Sequence, residues 1–269
     1  MIKNVLLLVF CMMVYSVQGQ HNHEHTFKYI NPKYSPNGEL ILASAEGYLG
    51  IYILDAKTLK KKQEFLIDKP IGYGAAWTTD SKSIVYREKN NYQFNTKKLT
   101  LKTGQVTESS VDPLVLTCKT SVDHKSVAHL NQNNLIQFGE KVLGNQGENY
   151  YHIVSNANKT VFVAHLQSQI ALVDIKNNQL IPLTWGLANA ISNDGNYIYF
   201  FRDYSTDGHT TSNAELFVYD IKNQKETQLT NTQDKIECWP DISPDGKTIV
   251  YSDDKTGEIE KIKVSQVIK

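Results

Sequence analysis

The amino-acid sequence predicts an all-β fold, a six-bladed β-propeller in which each blade is a four-stranded antiparallel sheet. The prediction rests on a short pattern that recurs six times with a period of about 40 residues, and on the lack of helical periodicity along the chain. Each copy has a hydroxyl residue two positions before a turn residue, and Ile or Val four positions after it. The six turn residues are Asn37, Asp80, Asp123, Ala157, Asp194 and Asp245. Units of this length must stack on their neighbours to bury their faces, as propeller blades do.

The sixth copy shows the plan of one unit most clearly. A short strand, CWPDIS, leads into the turn Pro244–Gly246, and KTIVYSD and GEIEKIKV follow as the next two strands. Asp-Gly is favoured in tight turns because the backbone must reach positive φ, where Gly carries no steric penalty. The hydroxyl before the turn can bond backbone amides that would otherwise lack a partner. These residues therefore indicate folding chemistry.

The remaining strands of each unit follow in order along the chain. Third strands recur as LGIYILD, KKLTLKT, IALVDIKN and AELFVYDIKN, each followed by a fourth strand, and the third unit is the weakest copy. The sixth unit lacks a fourth strand, whereas the strand HTFKYI precedes the first unit. We therefore expect His25–Ile30 to close the ring as the outer strand of the last blade, which avoids a long unpaired edge. The sequence predicts one propeller domain over residues 20–269.

Residues 1–19 have the pattern of a signal peptide. Lys3 supplies the positive charge, Val5–Val17 is an almost unbroken apolar stretch, and Val17–Gly19 fits a cleavage site. A stretch of about 13 residues is shorter than the roughly 20 that span a bilayer. We expect cleavage near Gly19, a periplasmic or secreted mature chain, and no membrane insertion of that chain.

Charge and cysteine content narrow the classes of partner. The chain carries 28 basic and 28 acidic residues, so it lacks the basic excess that is typical of nucleic-acid binding. Cys118 and Cys238 fall in the first strands of the third and sixth units, which a six-unit ring places on opposite walls. A disulfide needs Cα atoms within about 7 Å. We therefore expect two buried free thiols and no nucleic-acid partner.

Three segments resemble the repeats of TolB-type six-bladed β-propellers, a group with WD40-like propeller repeats. Pro32–Ile41 and Pro240–Ile249 share a Pro-x-x-Ser-Pro-[Asp/Asn]-Gly pattern, and Leu216–Thr230 reads LFVYDIKNQKETQLT. The resemblance implies an envelope or extracellular propeller that binds a protein or peptide at one end of its central channel. Related propellers precede the catalytic domains of serine oligopeptidases, but the sequence contains no G-x-S-x-G motif for a nucleophile.

The two longest connections between second and third strands are the candidate binding loops, Arg87–Lys98 and Arg202–Asn213. Both open with Arg followed by an acid, and long loops on a rigid scaffold often carry binding residues. The predicted partner-binding residues are Arg87, Glu88, Tyr92, Phe94, Arg202, Asp203, His209 and Asp253. The expected partner is a protein or peptide of the cell envelope. The alternative is that these segments are solvated hairpin tips whose ion pairs contribute little.

No catalytic residue and no cofactor are predicted, and a divalent metal is the alternative. His21, His23 and His25 could bind a metal ion, although a flexible polar terminus that happens to be rich in His is the favoured explanation. The alternative function is a metal-dependent hydrolase or lyase with its ion in the central channel. Its ligands would come from first strands, where Glu237, Asp241, His152 and Asn189 lie. His129 and His165, and the tryptophans Trp77, Trp185 and Trp239, are expected to be packing residues.

Overall fold

The computed structural model describes residues 28–267 apart from 46, 48, 68–70, 72–74, 91–92, 111–126 and 208–209. The first sheet contains β1 (Tyr29–Tyr34), β2 (Leu40–Ala45), β3 (Gly50–Asp55) and β4 (Lys61–Leu66). The second contains β5 (Ala76–Trp77), β6 (Ser83–Asn90), β7 (Gln93–Thr100) and β8 (Val106–Glu108). The third contains β9 (His129–Leu130), β10 (Ile136–Phe138) and β11 (Lys141–Leu143).

The second half of the chain continues the same series. The fourth sheet contains β12 (Tyr150–Ser155), β13 (Phe162–Leu166), β14 (Gln169–Asp174) and β15 (Gln179–Trp185). The fifth contains β16 (Leu187–Ile191), β17 (Tyr197–Ser205), β18 (Thr211–Asp220) and β19 (Lys225–Gln228). The sixth contains β20 (Glu237–Ile242), β21 (Thr248–Asp253) and β22 (Glu258–Lys263), and a short helix, α1 (Val264–Val267), follows.

Each strand pairs antiparallel with the next one in its sheet, so every sheet is a meander. The protein is a six-bladed β-propeller, as the repeats predict, and each sheet is one blade. Five of the six predicted turn residues lie between the first and second strands of their blades. The sixth, Asp123, lies outside the described residues, as does the predicted inner strand of the third blade. No helix in the described part of the chain is long and apolar enough to cross a membrane.

The turns show what the hydroxyl does in four of the copies. In the sixth blade, Ser243 Oγ donates to Asp245 Oδ1 at 2.7 Å and accepts the N–H of Thr248 at 2.9 Å. The first, second and fifth blades repeat both bonds with Ser35, Thr78 and Ser192. In the fourth blade Asn156 replaces them, because its Oδ1 accepts the N–H of Thr160 at 2.9 Å. The hydroxyl therefore closes the hairpin at one end of the first, second, fifth and sixth blades, whereas Asn156 closes it in the fourth, where the Ser155 hydroxyl has no hydrogen-bond partner among the described residues.

The inner strands of the first, fourth, fifth and sixth blades each contain a β-bulge, an extra residue opposite the second strand. The bulge in β1 bears on the predicted closing strand His25–Ile30, of which residues 25–27 lie outside the described part. Tyr29 and Ile30 belong to β1, where they pair with Ala45 and Ser44, because the bulge at Asn31 lets the strand continue through Asn31-Pro32. For these two residues the structure shows the inner strand of the first blade, where the sequence predicted the outer strand of the sixth.

The first and last blades nevertheless contact each other directly. The N–H of Tyr29 donates to Gly257 O at 2.9 Å. Apolar side chains of both blades share one buried cluster, which contains Tyr34, Ile41, Leu54, Val250 and Ile259. Similar clusters lie between the first and second, third and fourth, fourth and fifth, and fifth and sixth blades. Burial of apolar area between neighbouring blades therefore closes the ring.

Candidate binding pocket

A pocket of about 630 Å³ opens at the end of the propeller opposite the Ser/Thr-Asp turns, between the fourth, fifth and sixth blades. Its walls are formed by the first residues of inner strands, by connections between second and third strands, and by the link from β15 to β16. Its volume lies within the roughly 300–1,000 Å³ of ligand sites. The residues that define its chemistry are Tyr151, Trp185, Phe201, Asp203, Trp239 and Asp254.

Trp185 stands at the edge of the pocket on top of a buried arginine. The Arg202 side chain is only 7% exposed, and its guanidinium carbon lies 4.2 Å from the Trp185 ring centroid and 4.4 Å from that of Phe217. Its Nε donates to Trp185 O at 3.0 Å, and Nη1 donates to Glu226 Oε1 at 2.7 Å. Burial alone would raise the pKa of Glu226, but the hydrogen bonds from Arg202 and Thr184 lower it. The arginine therefore holds Trp185 as a fixed platform.

Gly186 allows this arrangement because the link approaches β17 too closely for a side chain. A Cβ at Gly186 would lie 2.7 Å from the carbonyl oxygen of Phe201, and the Gly186 φ of +129° is unfavourable for other residues. The N–H of Gly186 also donates to Ser168 O at 2.8 Å, which ties the link to the fourth blade.

Trp239 and Asp254 form the opposite wall. Trp239 lies in the bulge of β20 with φ +57°, and its ring centroid is 5.1 Å from that of Phe201. Asp254 accepts the Trp239 Nε1–H at 3.4 Å and the Ser252 hydroxyl at 2.8 Å. Burial raises the pKa of Asp254, so its charged form gains most from an added cation or donor. The neighbouring Cys238 thiol is buried and free, and burial raises its pKa.

Asp203 and Tyr151 complete the pocket. The Asp203 carboxylate is exposed, and no described residue forms an ion pair or hydrogen bond with it. Burial and, second, the charge of Asp203 raise the pKa of Tyr151, which places the carboxylate near this phenol. The Tyr151 hydroxyl donates to Gln167 O, which fixes the ring beside the opening.

The predicted site residues of the fifth and sixth blades have different roles in the structure. Asp203 lines the pocket and Arg202 supports it from below. Asp253 is 1% exposed and accepts the N–H groups of Ile236 and Lys255, so it shapes the turn, and its neighbour Asp254 lines the pocket instead. His209 lies outside the described residues.

The predicted residues of the second blade are not brought into this pocket. Arg87 and Glu88 are half-buried in β6, where they pair with Thr96 and Asn95. Glu88 lies 3.9 Å from Lys97 in an ion pair. Phe94 belongs to β7, and Tyr92 lies outside the described residues, as do His21, His23, His25 and Cys118.

Two tryptophans expected to serve only for packing line the pocket. Trp185 is 46% exposed and Trp239 is half-buried, whereas Trp77 is fully buried and donates from Nε1 to Lys33 O at 3.0 Å, as expected for a packing residue. A signal was present in the sequence. Trp185 is followed directly by Gly186 in the link before an inner strand. Because Gly186 lets the backbone lie close to Phe201, the indole of Trp185 is left exposed at the end of the propeller.

The histidines considered for the channel are engaged with the backbone. The His165 Nδ1 lies 2.5 Å from His152 O, and its Nε2 accepts the N–H of Ala188 at 2.9 Å. His152 Nε2 donates to Ala188 O at 2.9 Å. Burial lowers the pKa of His165 to about 4, and burial, followed by the repulsion that a protonated His152 would meet from a protonated His165 and from Lys33, lowers that of His152 to about 3. Both rings are therefore neutral links between the fourth and fifth blades.

Two of the other channel candidates, Asp241 and Asn189, also bond backbone groups. Asp241 accepts the N–H of Tyr34 at 2.6 Å, which joins the sixth blade to the first. Asn189 donates to Pro240 O at 3.2 Å. Glu237 is buried, its Oε2 lacks a hydrogen-bond partner, and burial raises its pKa. Within the described ranges, no three His, Cys, Asp or Glu side chains lie together as a metal-binding group.

Fold and pocket together define the class: a six-bladed β-propeller with an aromatic and acidic cavity at one end of the ring. The family described as the dipeptidyl peptidase IV (DPP IV) N-terminal region matches residues 192–255, in the fifth and sixth blades. No curated protein matches the chain.

Two solved structures are similar to the chain in fold. TolB from Acinetobacter baumannii shares 16% identity with a TM-score of 0.39, over 90% of this chain and 55% of that one. A putative TolB from Agrobacterium tumefaciens shares 14% identity with a TM-score of 0.40, over 88% of this chain and 77% of that one. The chain thus spans little more than half of the Acinetobacter protein. The sheet arrangement itself, six antiparallel meanders, defines the fold as a six-bladed β-propeller.

Proposed function

We propose that this protein is a non-enzymatic binding module that recognises a protein or peptide partner of the cell envelope at the pocket between the fourth, fifth and sixth blades. The observation that carries the proposal is a fixed set of exposed aromatic rings around an open cavity. Tyr151, Trp185 and Tyr204 are 42%, 46% and 43% exposed, and they are the large aromatic side chains of the described residues with the greatest exposure. All three lie in or beside the pocket, since Tyr204 packs edge-on against Trp185 at 6.2 Å.

Exposed aromatic rings on a rigid support are suited to recognition. Trp, Tyr and Arg are the residue types on which binding energy at interfaces concentrates. Trp185 is held by its buried arginine and Tyr151 by its hydrogen bond to Gln167, so little side-chain entropy is lost when a partner covers them. The alternative, a hydrolase or lyase with a channel metal, has less support, because Asp241 and His152 already bond backbone groups of neighbouring blades.

Blocking the pocket tests the proposal. Ser168 lies in the exposed turn between β13 and β14, and its carbonyl oxygen accepts the N–H of Gly186. Ser168→Tyr therefore adds bulk at the opening without removing that backbone hydrogen bond. Asn133→Tyr, in the exposed turn between β9 and β10, is the matched control. Peptides selected from a displayed random heptapeptide library on residues 20–269 should bind the parent and Asn133→Tyr equally. They should bind Ser168→Tyr about tenfold or more weakly.

Two outcomes would refute this assignment. One is that the selected peptides bind Ser168→Tyr as well as the parent while thermal unfolding shows both variants folded. The other is that the library yields no sequence enriched on the parent protein.

The proposed location outside the cytoplasm follows from residues 1–19 and is tested separately. Mass spectrometry of the protein from a fractionated host should find a chain that begins at Gln20 in the periplasm or medium. A cytoplasmic chain that retains Met1–Gly19 would contradict it.

A further inference from the structure

Among the described residues, the pocket wall carries two carboxylates and no cationic side chain. The carboxylates are those of Asp203 and Asp254. Asp203 has no ion-pair partner in the described part of the chain, and the donors to Asp254 among the described residues are neutral: Trp239 Nε1, the Ser252 hydroxyl and the Cys238 thiol. The nearest arginine, Arg202, lies behind Trp185, and its charge is offset by Glu226 at 2.6 Å.

The aromatic rings of the same pocket are placed to stack on a cation. Trp185 already does so on its inner side, where the Arg202 guanidinium carbon is 4.2 Å from the ring centroid. Trp239 bonds the Asp254 carboxylate through its indole N–H, so a cation over that ring would also approach the carboxylate. A cation over an indole face beside a carboxylate gains from both interactions, most of all where water is excluded.

From this charge and these rings we infer that the pocket binds the cationic side chain of a lysine or arginine in the partner. The inference rests on the proposed function and names the chemistry of the residue that enters. The aliphatic part of such a side chain would lie against Phe201 and Leu187, with its charged end between Asp203 and Asp254. An acidic or purely apolar side chain would desolvate both carboxylates without a counter-charge, which costs binding free energy.

Short peptides that differ at one position test whether the pocket prefers a cationic side chain. The probes are acetyl-Gly-Gly-X-Gly-Gly-amide with X as Lys, Arg, norleucine or Glu. The readout is the set of indole N–H signals in two-dimensional NMR of residues 20–269, since the chain has three tryptophans. Trp185 and Trp239 line the pocket, whereas Trp77 is fully buried between the first two blades and serves as the internal control.

The Lys and Arg peptides should shift the Trp185 and Trp239 signals, leave the Trp77 signal in place, and bind about tenfold more tightly than the norleucine peptide. Asp203→Asn should weaken Lys binding by a similar factor. Glu140→Gln, which removes an exposed carboxylate between β10 and β11, should change it less than about twofold because charges separated by more than a Debye length are screened.

Equal affinity for the norleucine and Lys peptides, unchanged Lys binding by Asp203→Asn, or no shift of Trp185 and Trp239 with any basic probe would overturn the inference. These failures are distinguishable from a failure of the proposed function. Neutral library peptides that Ser168→Tyr excludes would leave the binding module in place and remove only the cation preference.

Discussion

The second and fifth blades carry the same pattern at the same place, an arginine followed by an acid where the second strand extends past the first strand, yet the two pairs have different contacts. In the second blade, Glu88 forms an ion pair with Lys97 of the neighbouring strand at 3.9 Å, within the hairpin itself. In the fifth blade, Arg202 reaches outside its hairpin to Glu226 and to the carbonyl of Trp185.

The link from β15 to the inner strand β16, and not the hairpin, therefore determines where the site forms. Trp185 covers Arg202 only because Gly186 lets the link lie against Phe201. The arginine is thereby buried and turned into a support, and its acidic neighbour Asp203 is left exposed in the pocket. The dipeptide alone therefore does not mark a binding surface.

Removing the arginine of the fifth blade should give the largest effect on stability. Arg202→Ala deletes contacts with Trp185 and Phe217 and leaves Glu226 without its partner, which should lower the free energy of unfolding by about 3 kcal/mol. Glu88→Gln in the second blade should cost less than about 1 kcal/mol, as partly exposed pairs do. Urea denaturation measures both, and equal losses would contradict the contrast between the blades.

Two histidines with lowered pKa, His152 and His165, should contribute to the pH dependence of stability, and His165, beside Tyr151, can be tested by itself. His165 has a folded pKa of about 4, below its unfolded value near 6.5, so the unfolded chain takes up a proton first as pH falls. The effect is absent well above pH 6.5 and should cost about 2 kcal/mol by pH 5. His165→Gln should flatten the dependence between pH 6.5 and 5 by that amount. An unchanged slope would show that His165 is not buried as a neutral ring.

The close approach of the link can be tested at its glycine. Gly186→Ala places a Cβ 2.7 Å from Phe201 O at φ +129°, so we expect a loss of about 2 kcal/mol in unfolding free energy. Gly139→Ala is the matched control, because it also has a positive φ, +58°, but its Cβ would meet no atom within 4 Å. It should lose about 1 kcal/mol from backbone strain alone. If both variants lose the same, the approach at Gly186 is not what shapes the pocket.

The fold could be read from the sequence because its signals are local. In four blades the turn residue and the hydroxyl two positions before it specify a hairpin by bonds within a few residues, as Ser243 and Asp245 show. The bulges were not predicted, because Asn31-Pro32 looks like a strand end until the pairing of Tyr29 with Ala45 is seen. Whether a strand continues past such a break depends on its neighbour across the sheet.

The site was predicted only in part because it depends on contacts between blades. Asp203 was identified from its place after Arg202, but Asp253 and Asp254 could be separated only by the burial of the first and the orientation of the second toward Trp239. Trp185 and Trp239 resembled packing residues, as Trp77 is, and their exposure follows from the link and the bulge that hold them. Such positions can be predicted only when the arrangement of three neighbouring blades is known.

The turn motif should contribute the same free energy of unfolding in the second and fifth blades. The difference between the two blades would then be confined to the opposite end, where the pocket lies. Thr78 donates to Asp80 at 2.6 Å and accepts the N–H of Ser83 at 3.0 Å, and Ser192 does the same with Asp194 at 2.5 Å and Tyr197 at 3.0 Å. Thr78→Ala and Ser192→Ala should each lower the unfolding free energy by about 1 kcal/mol, because each leaves one strand N–H without its acceptor. Urea denaturation of the two variants should agree within about 0.5 kcal/mol, the scatter expected of independent sites. A much larger loss in the fifth blade would mean that its turn also supports the pocket, and that the two blades differ along their whole length.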